Sequence, residues 1–425
     1  MTEPYEFSAL EAVSRIKSGA LTSEILVRSC LERIAQRDGE VKAWTHLEHG
    51  EVIEKAIKSD ESGNKGLLGG LPIGVKDIMN TSDMPTRYGS AIYSSNQPDC
   101  NAVCVNQMFR QGGIIMGKTV TTEFAWRNPG KTCNPNNLLH TPGGSSSGSA
   151  AAVSDYQIPL AFGTQTAGSV IRPAAYCGVV GFKPSIGTHD KTGVKELSGY
   201  LDTVGTMARS VVDVAMFDFA LRTKHSPNLS IFNDRPLTFG RMLPFQDEVT
   251  EYALAVYDQA CESLEKAGAK IIDVPVTANF ERLAEFHTVI MTGDAGRALK
   301  WEYENHSDLL IRFYRENIMT GLTMDEEALE AVKIETDKAR VTQGELFRTV
   351  DFILTVPASG EAPKGLSFTG DPIFNRVWTL LGWPCITIPW GRGPNNLPLG
   401  LQMVGAKRED AQLLAAAAWA ENILD

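Results

Sequence analysis

Short apolar runs that alternate with helical patterns constrain this chain more than any other feature. Strand-like runs occur at Leu71–Val75, Gly113–Met116, Ile158–Phe162, Leu237–Arg241, Lys270–Val276, Phe352–Val356, Cys385–Ile388 and Leu399–Val404. Helical periodicity lies between and around them. Ser8 with Glu11 forms a capping box ahead of Leu10, Val13 and Ile16, and a second pattern runs from about Thr22 to Ile34, ending in polar residues near Arg37. A third is opened by Thr323 with Glu326, and an Ala-rich helix begins near Asp410. Strands alternating with helices predict an α/β layer structure with helices on both faces of a sheet. At 425 residues the chain exceeds the usual domain, yet one large sheet can hold that many. A single domain, 1–425, is expected, with the charged helical segment 280–345 as an insertion or lid.

The charge balance restricts partners. Forty Lys and Arg against 51 Asp and Glu give a net charge of −11, with no basic cluster to offset it. Such a surface repels phosphate, so neither nucleic acid nor an anionic membrane is expected as a partner. No run approaches the roughly 20 apolar residues of a transmembrane helix, and the start MTEPYEF shows no secretory pattern. The seven cysteines at 30, 100, 104, 133, 177, 261 and 385 match no zinc spacing and no disulfide framework, which points to reduced thiols in a cytoplasm and to no metal or other cofactor.

Three patches could carry chemistry. The first, Gly143-Gly144-Ser145-Ser146-Ser147-Gly148-Ser149, reads either as a flexible linker or as a polar pocket crowded with hydroxyls and backbone N–H groups. It leads at once into Ala150–Val153 rather than into a second domain. The second, Gly163 to Pro173, begins where the run Ile158–Phe162 ends, and carboxyl ends of strands are where open α/β sheets place their sites. Its small residues would let a carbonyl oxygen approach the backbone N–H groups of Thr166, Ala167, Gly168 and Ser169; the alternative is a plain tight turn. The third, Gly74-Val75-Lys76-Asp77, offers either a solvated lysine or a base. His46, His49, His140, His189, His225, His287 and His306 show no partner arrangement that would suggest a hydrolase of the Ser-His-Asp kind. A buried lysine can replace histidine, because desolvation lowers its pKa from about 10.4 toward neutrality.

In this order and spacing, 169 − 145 = 24 and 169 − 76 = 93, the three patches resemble the amidase signature family, most strongly across residues 66–210. The resemblance implies a large mixed sheet flanked by helices. It implies Ser169 as the acyl-forming nucleophile, Ser145 as relay after a cis Gly144–Ser145 peptide, Lys76 as base, and Thr166, Ala167, Gly168 and Ser169 as the oxyanion hole. The chain departs from many members in having Gln165 for an acidic residue and Ala167 for glycine; an alanine keeps its N–H. Within the family the segments around Ser169 and Gly370 look most like bacterial malonamidase, which implies that Arg172 holds a substrate carboxylate in a bidentate grip and that the substrate is a small amide such as malonamate. A homodimer is implied by the same analogy. Two alternatives accompany this reading: a glutamine-dependent transamidase subunit releasing ammonia for a partner enzyme, and a non-catalytic ligand-binding protein.

Overall fold

The computed structural model describes residues 2–63, 65–222, 229, 236–276 and 279–424. Eleven strands form one mixed sheet: β1 Trp44–His46, β2 Pro72–Lys76, β3 Ile114–Thr119, β4 Leu160–Gln165, β5 Val180–Lys183, β6 Thr203–Ala208, β7 Thr238–Arg241, β8 Lys270–Asp273, β9 Phe352–Thr355, β10 Cys385–Arg392 and β11 Pro398–Val404. Their order across the sheet is β1-β3-β2-β4-β6-β5-β10-β11-β9-β7-β8. β3, β2 and β4 run parallel, as do β9, β7 and β8; the pairs between those two groups are antiparallel.

All eight strand-like runs became strands. β1, β5 and β6 were not expected. β1 is three residues long, and β5 and β6 carry Gly181 and Gly205 at their centres, which blunts an apolar pattern. Those glycines are required by packing: a Cβ on Gly181 would stand 2.5 Å from Ala174 Cβ, and one on Gly205 2.6 Å from the Phe182 carbonyl.

Among the helices, Ser8 accepts the Glu11 N–H at 3.1 Å and starts Ala9–Lys17 as expected. The second helix runs Ser23–Val41, beyond Ile34, because the polar residues are used: Arg37 binds Glu40 at 2.8 Å and Asp155 at 3.2 Å. The capping box at Thr323 is a correction. Thr323 ends the helix Arg312–Thr323, its hydroxyl donating to the Met319 carbonyl, and Asp325 caps the next helix, Glu326–Gly344, by accepting from Glu327 N–H. The C-terminal helix spans Asp410–Leu424.

Residues 279–344 form four helices that dock on the sheet domain through buried polar anchors. Glu302, 1% exposed, accepts from Tyr93 Oη at 2.7 Å and pairs with Lys195 at 2.5 Å, and Tyr314 Oη donates to the Glu123 carbonyl at 2.9 Å. No helix among the described residues is long and apolar enough to cross a membrane.

Candidate active site

The Gly/Ser patch is no linker. Residues 141–153 are buried, and Ser147–Ser154 is a helix standing against β2, β3 and β4. Gly148 permits that contact, since a Cβ there would lie 2.2 Å from the Ala43 carbonyl and 2.3 Å from Val120 N. Its serines divide the work. Ser149 Oγ donates to the Phe162 carbonyl at 2.7 Å, Ser147 Oγ to the Gly143 carbonyl at 2.8 Å, and Ser146 Oγ accepts from Thr164 N–H at 3.3 Å. Ser145, which follows the one cis peptide among the described residues, accepts instead from Lys76 Nζ at 2.7 Å.

Lys76 is not a solvated charge. It closes β2, is fully buried, and donates to Ser145 Oγ and Thr164 Oγ1, both at 2.7 Å. The parallel register Gly74↔Ala161 carries β4 alongside β2 and brings Thr164 to the lysine. Burial drives the Lys76 pKa well below its ordinary value, with Asp202 opposing more weakly. Among the described residues no carboxylate hydrogen-bonds the ammonium, so the neutral amine is favoured. A second buried lysine nearby, Lys118, does have a carboxylate, Asp77, at 3.7 Å, and its pKa falls only to about 8.

Ser169 sits between β4 and the helix Ile171–Cys177, 7% exposed, on the wall of a cavity of about 430 Å³. No hydrogen bond joins its hydroxyl to Ser145 among the described residues. The two segments are tied through backbone, Ser146 N–H donating to the Ser169 carbonyl at 3.3 Å. Catalytic contacts in unliganded enzymes are often long and tighten on binding.

The loop before Ser169 presents unused donors. The N–H groups of Thr166, Ala167, Gly168 and Ser169 meet no acceptor among the described residues, whereas those of Val170 and Ile171 both go to Gln165 Oε1, at 2.9 and 3.1 Å. Gln165, the departure noted in the sequence, therefore takes the two N–H groups that follow Ser169. Thr166 Oγ1 donates to Asp202 at 2.5 Å, and that carboxylate also accepts the Leu197 and Ser198 N–H groups at 2.9 and 3.0 Å.

Arg172 also lines the cavity, 4% exposed, but two of its three nitrogens are engaged. Nε donates to the Thr369 carbonyl and Nη2 to the Gly144 carbonyl, each at 2.8 Å, and only Nη1 has no partner. The fork needed for a bidentate grip is thus spent on the backbone, and among the described residues no carboxylate pairs with it. Burial lowers its pKa to about 10, and it stays charged at neutral pH.

Around these groups the cavity combines aromatic walls (Trp126, Phe313, Phe368) with three arginines, Arg127, Arg172 and Arg376; no Asp or Glu side chain lines it among the described residues. The helices of 279–344 form one wall through Met291, Thr292 and Ile311. No group of three His, Cys, Asp or Glu side chains among the described residues could hold a metal.

Sequence reasoning located Lys76, Ser145, Ser169 and Arg172, and the fold brings them together. It missed Thr164, the role of Gln165, Asp202, and His287, whose Nε2 lies 2.9 Å from the Thr166 carbonyl across 121 residues of sequence. Thr164 and Gln165, at the end of a strand-like run, had a positional signal; His287 on a helix had none. His225 lies outside the described residues.

A family model described as Amidase matches residues 25–414. Curated relatives include a glutamyl-tRNA(Gln) amidotransferase subunit from Halothermothrix orenii, 29% identical over all of this chain and 98% of the relative, and its counterpart from Anaeromyxobacter sp. (strain K), 31% identical over 96% of this chain and 94% of the relative. Among solved structures, one described as a crystal structure of amidase superposes with a TM-score of 0.90 at 26% identity, covering 99% of this chain and 100% of that one. The peptide amidase of Stenotrophomonas maltophilia does so with 0.85 at 25% identity, covering 100% and 98%. These relatives carry the family likeness; they do not carry the finer likeness to malonamidase.

Proposed function

Because the Amidase model matches residues 25–414, this chain belongs to that family and acts on amide C–N bonds, and we propose that it does so through an acyl-enzyme on Ser169. The observation that carries this reading is Lys76 Nζ, wholly buried, 2.7 Å from Ser145 Oγ and without a carboxylate partner among the described residues. A neutral amine there can take the Ser145 proton while Ser145 takes that of Ser169. Ser169 Oγ then bonds the amide carbon, and the carbonyl oxygen, now anionic, faces the unused N–H groups of residues 166–169. Collapse breaks the C–N bond, and the proton held on Lys76 returns through Ser145 to the departing nitrogen. Water repeats the sequence on the ester, releasing the carboxylate and restoring Ser169. Losing one oxyanion donor typically costs ~10²–10³ in rate.

For the substrate, the relatives favour the transamidase alternative over malonamate: each is named as one subunit of a glutamyl-tRNA(Gln) amidotransferase. Glutamine is then the amide, and ammonia passes to a partner protein. The second reading keeps a half-amide of a dicarboxylic acid, hydrolysed by the chain alone. Its support is the cavity itself, which offers three arginines for a carboxylate and, among the described residues, no Asp or Glu for the ammonium of glutamine.

Ammonia release from glutamine, malonamate, malonamide and a simple aliphatic amide, by the purified chain and by Ser169→Ala, separates these. No release from any of these, glutamine included, supports a transamidase subunit that needs its partner; release confined to malonamate by the chain alone supports the half-amide. Release that survives Ser169→Ala overturns the acyl-enzyme.

A further inference from the structure

Three consecutive carbonyls of the loop before Ser169 are held from outside it, by groups that the chemistry above does not use. The Thr166 carbonyl faces His287 Nε2 at 2.9 Å, from the helix Asn279–Ala298. The Ala167 carbonyl accepts from Thr379 Oγ1 at 2.7 Å, from the helix Ile373–Leu381. The Gly168 carbonyl accepts from Arg172 N–H at 3.0 Å. These peptides are trans, the only cis bond among the described residues being Gly144–Ser145. In a planar trans peptide the C=O of one residue and the N–H of the next point in opposite directions. Holding the carbonyls of 166, 167 and 168 therefore turns the N–H groups of 167, 168 and 169 away from those holders, where they meet no acceptor among the described residues.

The protonation of both holders follows from their partners. A carbonyl only accepts, so His287 carries its hydrogen on Nε2; the ring is fully buried and Nδ1 has no partner. Gln165 Oε1 already accepts two backbone N–H groups, so its NH₂ faces Thr379 Oγ1, at 3.0 Å. The threonine hydroxyl must then point its own hydrogen at the Ala167 carbonyl. An acidic residue at 165, as many family members carry, could not donate to Thr379.

We propose that His287 and Thr379 are positioning residues that hold the oxyanion-binding loop in its working orientation, with Gln165 setting the direction of the Thr379 hydroxyl. The proposal rests on the acyl-enzyme reading but not on the identity of the amide, so an activated ester serves as probe. Hydrolysis of p-nitrophenyl acetate by the full chain gives kcat and KM for His287→Leu and Thr379→Val, which remove the donors, and for His287→Gln and Thr379→Ser, which keep them. The expected result is a fall in kcat of about 10- to 100-fold in each of the first pair, below the cost of deleting a donor outright, with KM changed less than about 3-fold. The second pair should return to within about 3-fold of wild type. Unchanged kcat in a folded His287→Leu or Thr379→Val, or a loss confined to KM, overturns the proposal. Should one of these fail to fold, by near-ultraviolet circular dichroism, the other decides. Ester turnover that persists in Ser169→Ala instead overturns the reading beneath it.

Discussion

Replacing Arg172 with methionine separates its two contributions. The side chain spends Nε on the Thr369 carbonyl and Nη2 on the Gly144 carbonyl, both at 2.8 Å, and has only Nη1 left for a ligand. Two hydrogen bonds from a charged donor are worth about 3–6 kcal/mol together. Against them stands the cost of burying the charge: a pKa lowered from 12.5 to about 10 corresponds to about 3 kcal/mol. The group is protonated in both folded and unfolded chains at neutral pH, so that cost applies in full there and fades only as the pH rises from 10 to 12.5. Arg172→Met should thus lose at most about 3 kcal/mol and remain folded. One remaining nitrogen gives a carboxylate about 1.5–3 kcal/mol, which is about 10- to 150-fold in affinity. The assay is kcat/KM for malonamate and for neutral malonamide, in wild type and variant. Loss of the Gly144 contact affects both substrates alike and cancels in the ratio. The malonamate rate should fall about 10- to 150-fold further than the malonamide rate. Equal losses would refute the assignment of Nη1 to a substrate carboxylate and leave Arg172 a brace for the Gly144 carbonyl.

Lys76→Met should abolish Ser169 acylation, and it should raise Tm at neutral pH. A lysine whose folded pKa lies below its unfolded value destabilises the fold at every pH below the unfolded value, so the gain in Tm should shrink as pH approaches 10.5. In wild type, kcat/KM should climb with pH as Lys76 loses its proton and then level off; a profile that falls over that range would exclude a neutral-amine base. Gly168→Ala places a Cβ 2.2 Å from Asn375 Oδ1, and Asn375 is anchored by Gln402 at 2.8 Å, so the loop must give way: kcat should fall about 10²-fold or more, read on p-nitrophenyl acetate. His287, with its pKa lowered to about 4 by burial, contributes stability that is complete above pH 6.5 and is lost as pH falls toward 4. Wild type should lose about 2 kcal/mol more than His287→Gln between pH 7 and pH 4.5, by urea denaturation at each pH.

What could be read from the sequence is what local order encodes. Eight apolar runs gave eight strands; those buried on both faces, such as β2, β3, β4 and β9, write themselves as continuous apolar stretches, whereas β8, with no buried residue, was marked only by its short Ile271-Ile272 run. β5 and β6 escaped because Gly181 and Gly205 serve contacts with other elements, Ala174 and the Phe182 carbonyl, that no local window contains. The Thr323 misreading has the same origin: Asp325, two residues on, is as good a cap, and tertiary placement chose between them. Lys76, Ser145 and Ser169 were legible through their motifs and spacing. Their burial was not: the same lysine would be an ordinary solvated charge had the register of β2 and β4 not brought Thr164 against it.

The partners of the loop mark the limit of such reading, and they also explain what a glutamine at 165 does that an acidic residue could not. At this position the chain needs an acceptor for the N–H groups of Val170 and Ile171, which either side chain supplies. Glutamine supplies a donor as well, and that donor has a use only because Thr379 lies 3.0 Å away with the Ala167 carbonyl beyond it. A buried carboxylate would have left the Thr379 hydrogen drawn toward residue 165 instead, with the Ala167 carbonyl unpaired, at about 1–3 kcal/mol for a buried group without a partner. Gln165 and Thr379 therefore form one unit separated by 214 residues, and substituting either should change the loop in the same way. The double variant Gln165→Glu, Thr379→Val should lose little more ester turnover than Thr379→Val alone, since residues acting through one contact are not additive. Multiplied losses in that variant would mean that Gln165 acts on Val170 and Ile171 only, and that Thr379 reaches the Ala167 carbonyl without its help.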